Sequence, residues 1–157
     1  MAFRLELATA TDAAEIAALQ CAANHVTTGV TAKGVALNMR RGKVYVARRR
    51  GKIIATLCLT SRKPWAIDTS YFAPVRMPLY LIAMAVAPEC QRKGVGRKCL
   101  AAADELARDW PADAIRLDAY DRATGAGGFY HRCGYREVGR ATYRKTPLIY
   151  YERLLPK

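Results

Sequence analysis

Histidine is nearly missing from this chain, with only His25 and His131 in 157 residues, and its five cysteines contain no CxxC pair. Structural zinc sites draw their ligands from closely spaced Cys and His, so no metal site is expected. Cys21, Cys58, Cys90, Cys99 and Cys133 are an odd set, which argues equally against a disulfide framework. Long apolar runs are absent too. The most apolar segment, LYLIAMAV from Leu79 to Val86, is far short of the ~20 residues of a membrane span. Met1-Ala-Phe-Arg leads into Leu-Glu-Leu rather than a long apolar stretch, so no secretory signal or membrane partner is expected and the expected location is the cytoplasm. No internal repeat or low-complexity tract interrupts the sequence.

Acidic residues are scarce: 13 Asp and Glu face 26 Lys and Arg, a net charge of +13. Such an excess fits a binder of nucleic acid or another acidic surface, or a protein that holds a multiply anionic small ligand. The basic residues are spread through Arg40-Arg41, Arg48-Arg49-Arg50, Arg62-Lys63, Arg92-Lys93 and Arg97-Lys98. They lack the aromatic interleaving of a single-strand binder, which puts nucleic acid second as a partner. An apolar fraction of 52% with 25% charged residues is that of a globular chain, and its length suits one domain over 1–157.

Along the chain, FRLELA alternates as a short strand. ATDAAEIAALQCAAN follows as a helix, with Thr11 or Asp12 as cap and Glu15 placed for a capping box. A weaker helix is expected over roughly 32–39, and KVYVARRRGKIIATLCLT then forms two β-rich runs joined at Arg50-Gly51, an antiparallel hairpin. Ser61 to Pro78 holds three prolines and the aromatics Trp65, Tyr71 and Phe72, a long loop of the kind that often serves function. After the LYLIAMAV strand and a glycine turn comes a helix with Leu100, Ala103, Leu106, Ala107 and Trp110 on one face, stopped by Pro111. AIRLDAY (Ala114 to Tyr120) is a strand, TGAGGFYHRCGY a Gly-rich helical stretch leading to REVGR, and LIYYERLL the last strand.

The glycine turn, CQRKGVGRKC at 90–99, carries the chemistry. It is no Walker phosphate loop, because Lys98 is followed by Cys99 instead of Ser or Thr. It is no dinucleotide fingerprint either: Cys99 stands where the third glycine belongs, and Ala87 to Lys93 separate the strand from the first glycine. An apolar strand, Gln91-Arg-Lys-Gly94-Val-Gly96, a helix, a strand, then Tyr130 followed by Cys133-Gly134-Tyr135 resembles the GNAT superfamily of acyl-CoA-dependent N-acyltransferases. The signature Q/R-x-x-G-x-G/A is met at Gln91, Gly94 and Gly96, and the resemblance is clearest from Leu79 to Tyr135.

The resemblance implies an α/β fold, a mixed, mostly antiparallel twisted sheet flanked by helices with splayed central strands. It implies acetyl-CoA as co-substrate, with no metal, and acetyl transfer to an amine by direct attack in a ternary complex. Met84, Ala85 and Val86 would lie along the pantetheine arm, and Gln91, Arg92, Lys93, Gly94, Val95, Gly96 and Arg97 would hold the pyrophosphate. Backbone N–H groups at a helix start and flanking cations suit that anion. Tyr130 matches the tyrosine that in many relatives faces the thioester sulfur. The sequence departs from the family at 121–124, DRAT, where an Asn is common, and in its LYLIAMAV strand, which has no carboxylate to act as base. Asp118 stands open between a base and a turn or cap residue. Cys99 and Cys133 are expected as small core residues, His131 as an exposed helix residue, and Trp65, Tyr71 and Phe72 as walls of the acceptor pocket. A catalytically silent acyl-CoA sensor and a basic nucleic-acid module are the competing functions.

Overall fold

The computed structural model describes residues 3–24, 30–121 and 127–156. In chain order they form strand β1 (Glu6–Leu7), helices α1 (Ala13–Asn24) and α2 (Ala32–Arg41), strands β2 (Lys43–Arg49), β3 (Lys52–Thr60) and β4 (Pro78–Val86), and helix α3 (Val95–Asp109). Strand β5 (Ala114–Tyr120), helix α4 (Gly127–Arg132) and strands β6 (Arg136–Tyr143) and β7 (Thr146–Leu154) complete the order. The seven strands make one sheet in the order β1-β2-β3-β4-β5-β7-β6. Pairing is antiparallel for β1–β2, β2–β3, β5–β7 and β6–β7, and parallel for β4–β5. This is the mixed, mostly antiparallel α/β sheet flanked by helices that the family resemblance implies.

Residue contacts gather the chain into two compact units, Met1–Thr60 with Leu81–Ala103, and Ser61–Tyr80 with Asp104–Lys157. In the first unit the whole run Ile53–Thr60 is buried, with no alternation, as in a strand covered on both faces. Helix α1 packs on β3 and α2. Arg50 and Gly51 close the β2–β3 hairpin with φ of 53° and 77°, the left-handed pair that two-residue hairpins need. The start of α1 differs from expectation. Thr9 and Asp12 make the reciprocal cap contact, the Thr9 N–H donating to Asp12 Oδ2 at 2.9 Å, while Glu15 accepts the Ile53 N–H at 2.8 Å. Glu15 sits three residues, nearly a full turn, too late to reach back to Thr9, and a strand N–H takes its carboxylate instead.

In the second unit, β7 is paired on both sides and sets the two faces. Tyr150 stands opposite Asp118, and Tyr151 opposite Leu117, so adjacent residues of β7 look to opposite faces. The loop after β3 covers the Tyr150 face: Ile67, Phe72, Tyr80, Leu148 and Tyr150 form one buried cluster. Helix α4 covers the other, where the Tyr130 ring lies 5.7 Å from that of Tyr151. A buried ion pair anchors the loop. Arg116 Nε donates to Glu152 Oε2 at 3.2 Å, its Nη1 to the Tyr80 hydroxyl and its Nη2 to the Ala73 carbonyl, while Glu152 Oε1 accepts the Ala73 N–H. With its hydrogen bonds so used, the pair avoids the cost of an unsatisfied buried charge.

Candidate active site

Strand β4 carries a local irregularity that the sequence does not announce. Ala83 has φ of 54° and is exposed, in mid-strand. A left-handed alanine costs roughly 1–2 kcal/mol and breaks the pleat as a bulge does. Its carbonyl accepts a hydrogen bond from Gln20 Nε2 at 3.1 Å. The parallel ladder with β5 covers three pairs, Pro78 to Tyr80 with Ala114 to Arg116. Beyond the kink, Met84 and Val86 are half-buried and Ala85 is buried.

The turn after β4 is built by its own side chains. Pro88–Cys90 form one 3-10 turn, and Gln91 Nε2 reaches back to the Val86 carbonyl at 3.0 Å, clipping the turn to the strand end. Arg92 and Gly94 are both left-handed, with φ of 62° and 85°, and nothing lies within 4 Å of where a Gly94 Cβ would stand. Space is therefore open on that side; the conformation is what asks for glycine. The Gly94 carbonyl accepts the Lys98 N–H at 3.1 Å and so begins α3, which leaves the N–H groups of Val95, Gly96 and Arg97 without helical acceptors. Arg92, Lys93, Arg97 and Lys98 are exposed around them. The turn's carboxylate, Glu89, pairs with Lys52 at 3.3 Å. This combination of N–H groups, helix dipole and cations is an anion cradle.

Tyr130 lies in the second unit. It is buried, with ring centroids of Phe129, Tyr135 and Tyr151 between 5.3 and 5.8 Å from its own. Phe129 is half-buried, so Tyr130 is the inward-facing member of the pair. Burial pushes the Tyr130 hydroxyl up to about 12, and the negative charge of Asp118 pushes the same way. It remains a neutral donor throughout the working range of enzymes. Cys99 is buried and its thiol is pushed up to about 12 by desolvation, and His131 is exposed, the placements expected of them; Cys133, expected in the core, is half-buried.

On the Tyr150 face, Asp118, Tyr120, Tyr143 and Thr146, with Ala66 and Leu148, line a pocket of about 290 Å³. The three loop aromatics are not its walls. Phe72 is buried with the Arg116 guanidinium 4.9 Å from its ring, Tyr71 fills the space beside Gly139 where a Cβ would collide with its ring, and Trp65 is 85% exposed. An aromatic in a loop pays its way by covering a sheet as readily as by lining a site, and Ala66 is the loop residue at the pocket. Asp118 is half-buried and desolvation raises it above its ordinary carboxylate value. Tyr143 and Thr146, on a hairpin with no glycine or proline at its turn, carried no mark that could have singled them out. Among the described residues, no group of three or more His, Cys, Asp or Glu is placed to hold a metal ion, and no helix is long and apolar enough to cross a membrane.

The chain is similar in fold to several solved acetyltransferases. The ribosomal-protein-S18-alanine N-acetyltransferase from Escherichia coli aligns over 99% of this chain and 96% of its own, with a TM-score of 0.78 and 16% identity. A Bacillus subtilis acetyltransferase in complex with CoA aligns over 99% and 100%, with a TM-score of 0.74 and 18% identity. A Salmonella typhimurium structure with its cofactor acetyl-CoA aligns over 100% and 96%, with a TM-score of 0.73 and 18% identity. No curated protein matches the sequence. The family model of the GNAT acetyltransferase domain matches residues 40–137, well over half of the chain, a span that holds the Gln91–Gly96 turn. The chain belongs to the GNAT family of acetyltransferases.

Proposed function

We propose that this acetyltransferase moves the acetyl group of acetyl-CoA to a primary amine by direct attack in a ternary complex. The observation that carries the reading is the turn: Gln91 clips it to β4, Arg92 and Gly94 bend it through left-handed conformations, and α3 starts there with three N–H groups open. Those groups, with Arg92, Lys93 and Arg97, suit the pyrophosphate of coenzyme A. The kinked backbone of β4 at Met84, Ala85 and Val86 suits the amide-bearing pantetheine arm, which can add to a strand edge as a peptide does. Acetyl-CoA supplies an electrophilic thioester carbonyl.

Tyr130 donates a hydrogen bond to the sulfur as the thiolate departs. With its hydroxyl pushed up to about 12, full transfer of its proton to a thiolate near 8.5 is uphill by about 3.5 units, or ~5 kcal/mol. A bond that strengthens as charge grows on sulfur needs no such transfer and favours the transition state over bound substrate.

The turn is tested by Gly96→Glu, which puts bulk and negative charge where the pyrophosphate would approach the backbone. Acetyl-CoA binding, followed by calorimetry, is expected to vanish while circular dichroism shows a folded chain. Micromolar binding by the variant would remove the turn from the site. Released thiol across a panel of amines then separates a transferase from a silent acyl-CoA sensor, which binds acetyl-CoA but consumes none.

A further inference from the structure

We propose that the pocket at the C-terminal end of β5 takes the acceptor as a small monoamine whose ammonium rests on Asp118, and that Asp118 removes its proton. The inference rests on the transferase reading above and names the acceptor class of that activity.

Asp118 stands apart from the other carboxylates of this chain, of which Glu105 and Asp109 are exposed on α3 and keep their water. Glu6, Asp12, Glu89, Asp104, Asp121, Glu137 and Glu152 each face an arginine or lysine. Glu15, Asp68 and Asp113 accept backbone N–H groups of other residues. Asp118 is half-buried, and among the described residues it has no ion pair and no hydrogen bond beyond its own backbone N–H. Desolvating a carboxylate without a partner is costly. In a chain with 26 basic and 13 acidic residues, a missing cation is not a matter of supply. The carboxylate instead opens on a pocket, where an arriving ammonium completes it.

The pocket also bears on what that ammonium is attached to. Its volume of about 290 Å³, partly open to solvent, suits a small body beside the charge. Its loop side is held in place: the Tyr150 hydroxyl donates to the carbonyl of the lining Ala66 at 2.5 Å and accepts the Asp68 N–H. Tyr120, Tyr143 and Leu148 present apolar and aromatic surface, so an apolar or aromatic body fits. One carboxylate serves one ammonium. Among the described residues Asp118 is the one carboxylate of the lining, and the Arg144 guanidinium lies 5.3 Å from the centroid of the lining Tyr143 ring, so a second positive charge on the acceptor gains no second partner in the lining.

The step balances. The acceptor's ammonium gives one proton to the Asp118 carboxylate, and the freed amine forms its C–N bond at the acetyl carbonyl carbon. The C–S bond breaks with its electron pair on sulfur, held by the Tyr130 hydroxyl. The second proton of the nitrogen passes to that thiolate, and Asp118 returns its own to water. The Asp118–Tyr150 pair adjoins the Leu117–Tyr151 pair of the same two strands, and the Tyr130 ring packs on Tyr151, so base and leaving-group donor are set by neighbouring positions of β5 and β7.

Asp118→Asn keeps shape and removes charge. With 2-phenylethylamine as probe, the variant is expected to lose at least a hundredfold in acceptor kcat/KM and to lose calorimetric binding of the amine, while acetyl-CoA affinity stays within a factor of about two of the parent. Asp118→Glu is expected to restore part of the rate. Amine turnover by Asp118→Asn within a factor of about two of the parent, or turnover of spermidine or a peptide N-terminus in preference to the monoamine, would overturn the assignment and leave the transferase reading standing. A parent protein that releases no thiol with any amine overturns both.

Discussion

At the scale of a residue, the role proposed for Tyr130 joins packing and chemistry in one side chain. Its ring is held among Phe129, Tyr135 and Tyr151, so Tyr130→Phe preserves the contacts and deletes only the donor. The variant is expected to lose roughly tenfold to a thousandfold in kcat, the range of a lost acid or oxyanion-type donor, with acetyl-CoA affinity nearly unchanged. Steady-state and single-turnover kinetics check this, and a kcat within a factor of about two, with chemistry rate-limiting, would remove the hydroxyl from the mechanism. The position was legible in sequence through its spacing to Cys133-Gly134-Tyr135. Asp118 was legible only as an acid near a strand end, because sequence does not tell which carboxylates of a basic chain find a cation.

At the scale of an element, two hairpins of equal length contrast. Arg50-Gly51 closes β2–β3 and was evident, since glycine next to a β-rich run marks the turn. Arg144-Lys145 closes β6–β7 with φ of 47° and 70°, and nothing in ATYRKT announces it. The surrounding strand pairing holds two non-glycine residues left-handed at about 1 kcal/mol or more each. Lys145→Gly is therefore expected to raise stability by about 1 kcal/mol, or ~2–4 °C in Tm. Gly51→Ala, where no atom lies within 4 Å of the added Cβ, is expected to lower it by a similar amount. Thermal unfolding of both variants tests this; a fall in Tm for Lys145→Gly would show that Lys145 contributes more through its side chain than its conformation costs.

At the scale of the whole molecule, a charge of +13 at neutral pH makes acid an early stress, because each carboxylate that protonates adds to an existing positive excess. Asp12 is a sensitive point. The side-chain hydrogen bond from Arg48 Nη2 at 2.8 Å, then the Thr9 N–H, hold its carboxyl below its ordinary value of 3.8. A depressed folded value means that the ionised form stabilises the fold above the unfolded value and that this contribution is lost as pH falls through the folded one. Asp12→Asn is expected to lower Tm near neutrality and to converge with the parent at the acid end, once pH has fallen through the depressed folded value. Tm measured against pH for the two proteins checks it; a constant difference down to the acid end would assign the effect to packing instead of charge.

Apolar runs and turn residues determined the order of elements, and the Gln91–Gly96 turn the open N–H groups at the start of α3, because those depend on local conformation and on which backbone groups a helix end leaves open; the fold class came through the family resemblance that this turn and the Tyr130 to Tyr135 stretch carry. Tertiary structure alone decided that Glu15 serves Ile53 and not a cap, that Phe72 belongs under Arg116 and not in a pocket, that Ala83 kinks β4, and that Asp118 lines a cavity with no ion pair among the described residues. Each of these turns on which distant groups reach the same point in space, and a linear pattern carries that information only where a turn or a period fixes it.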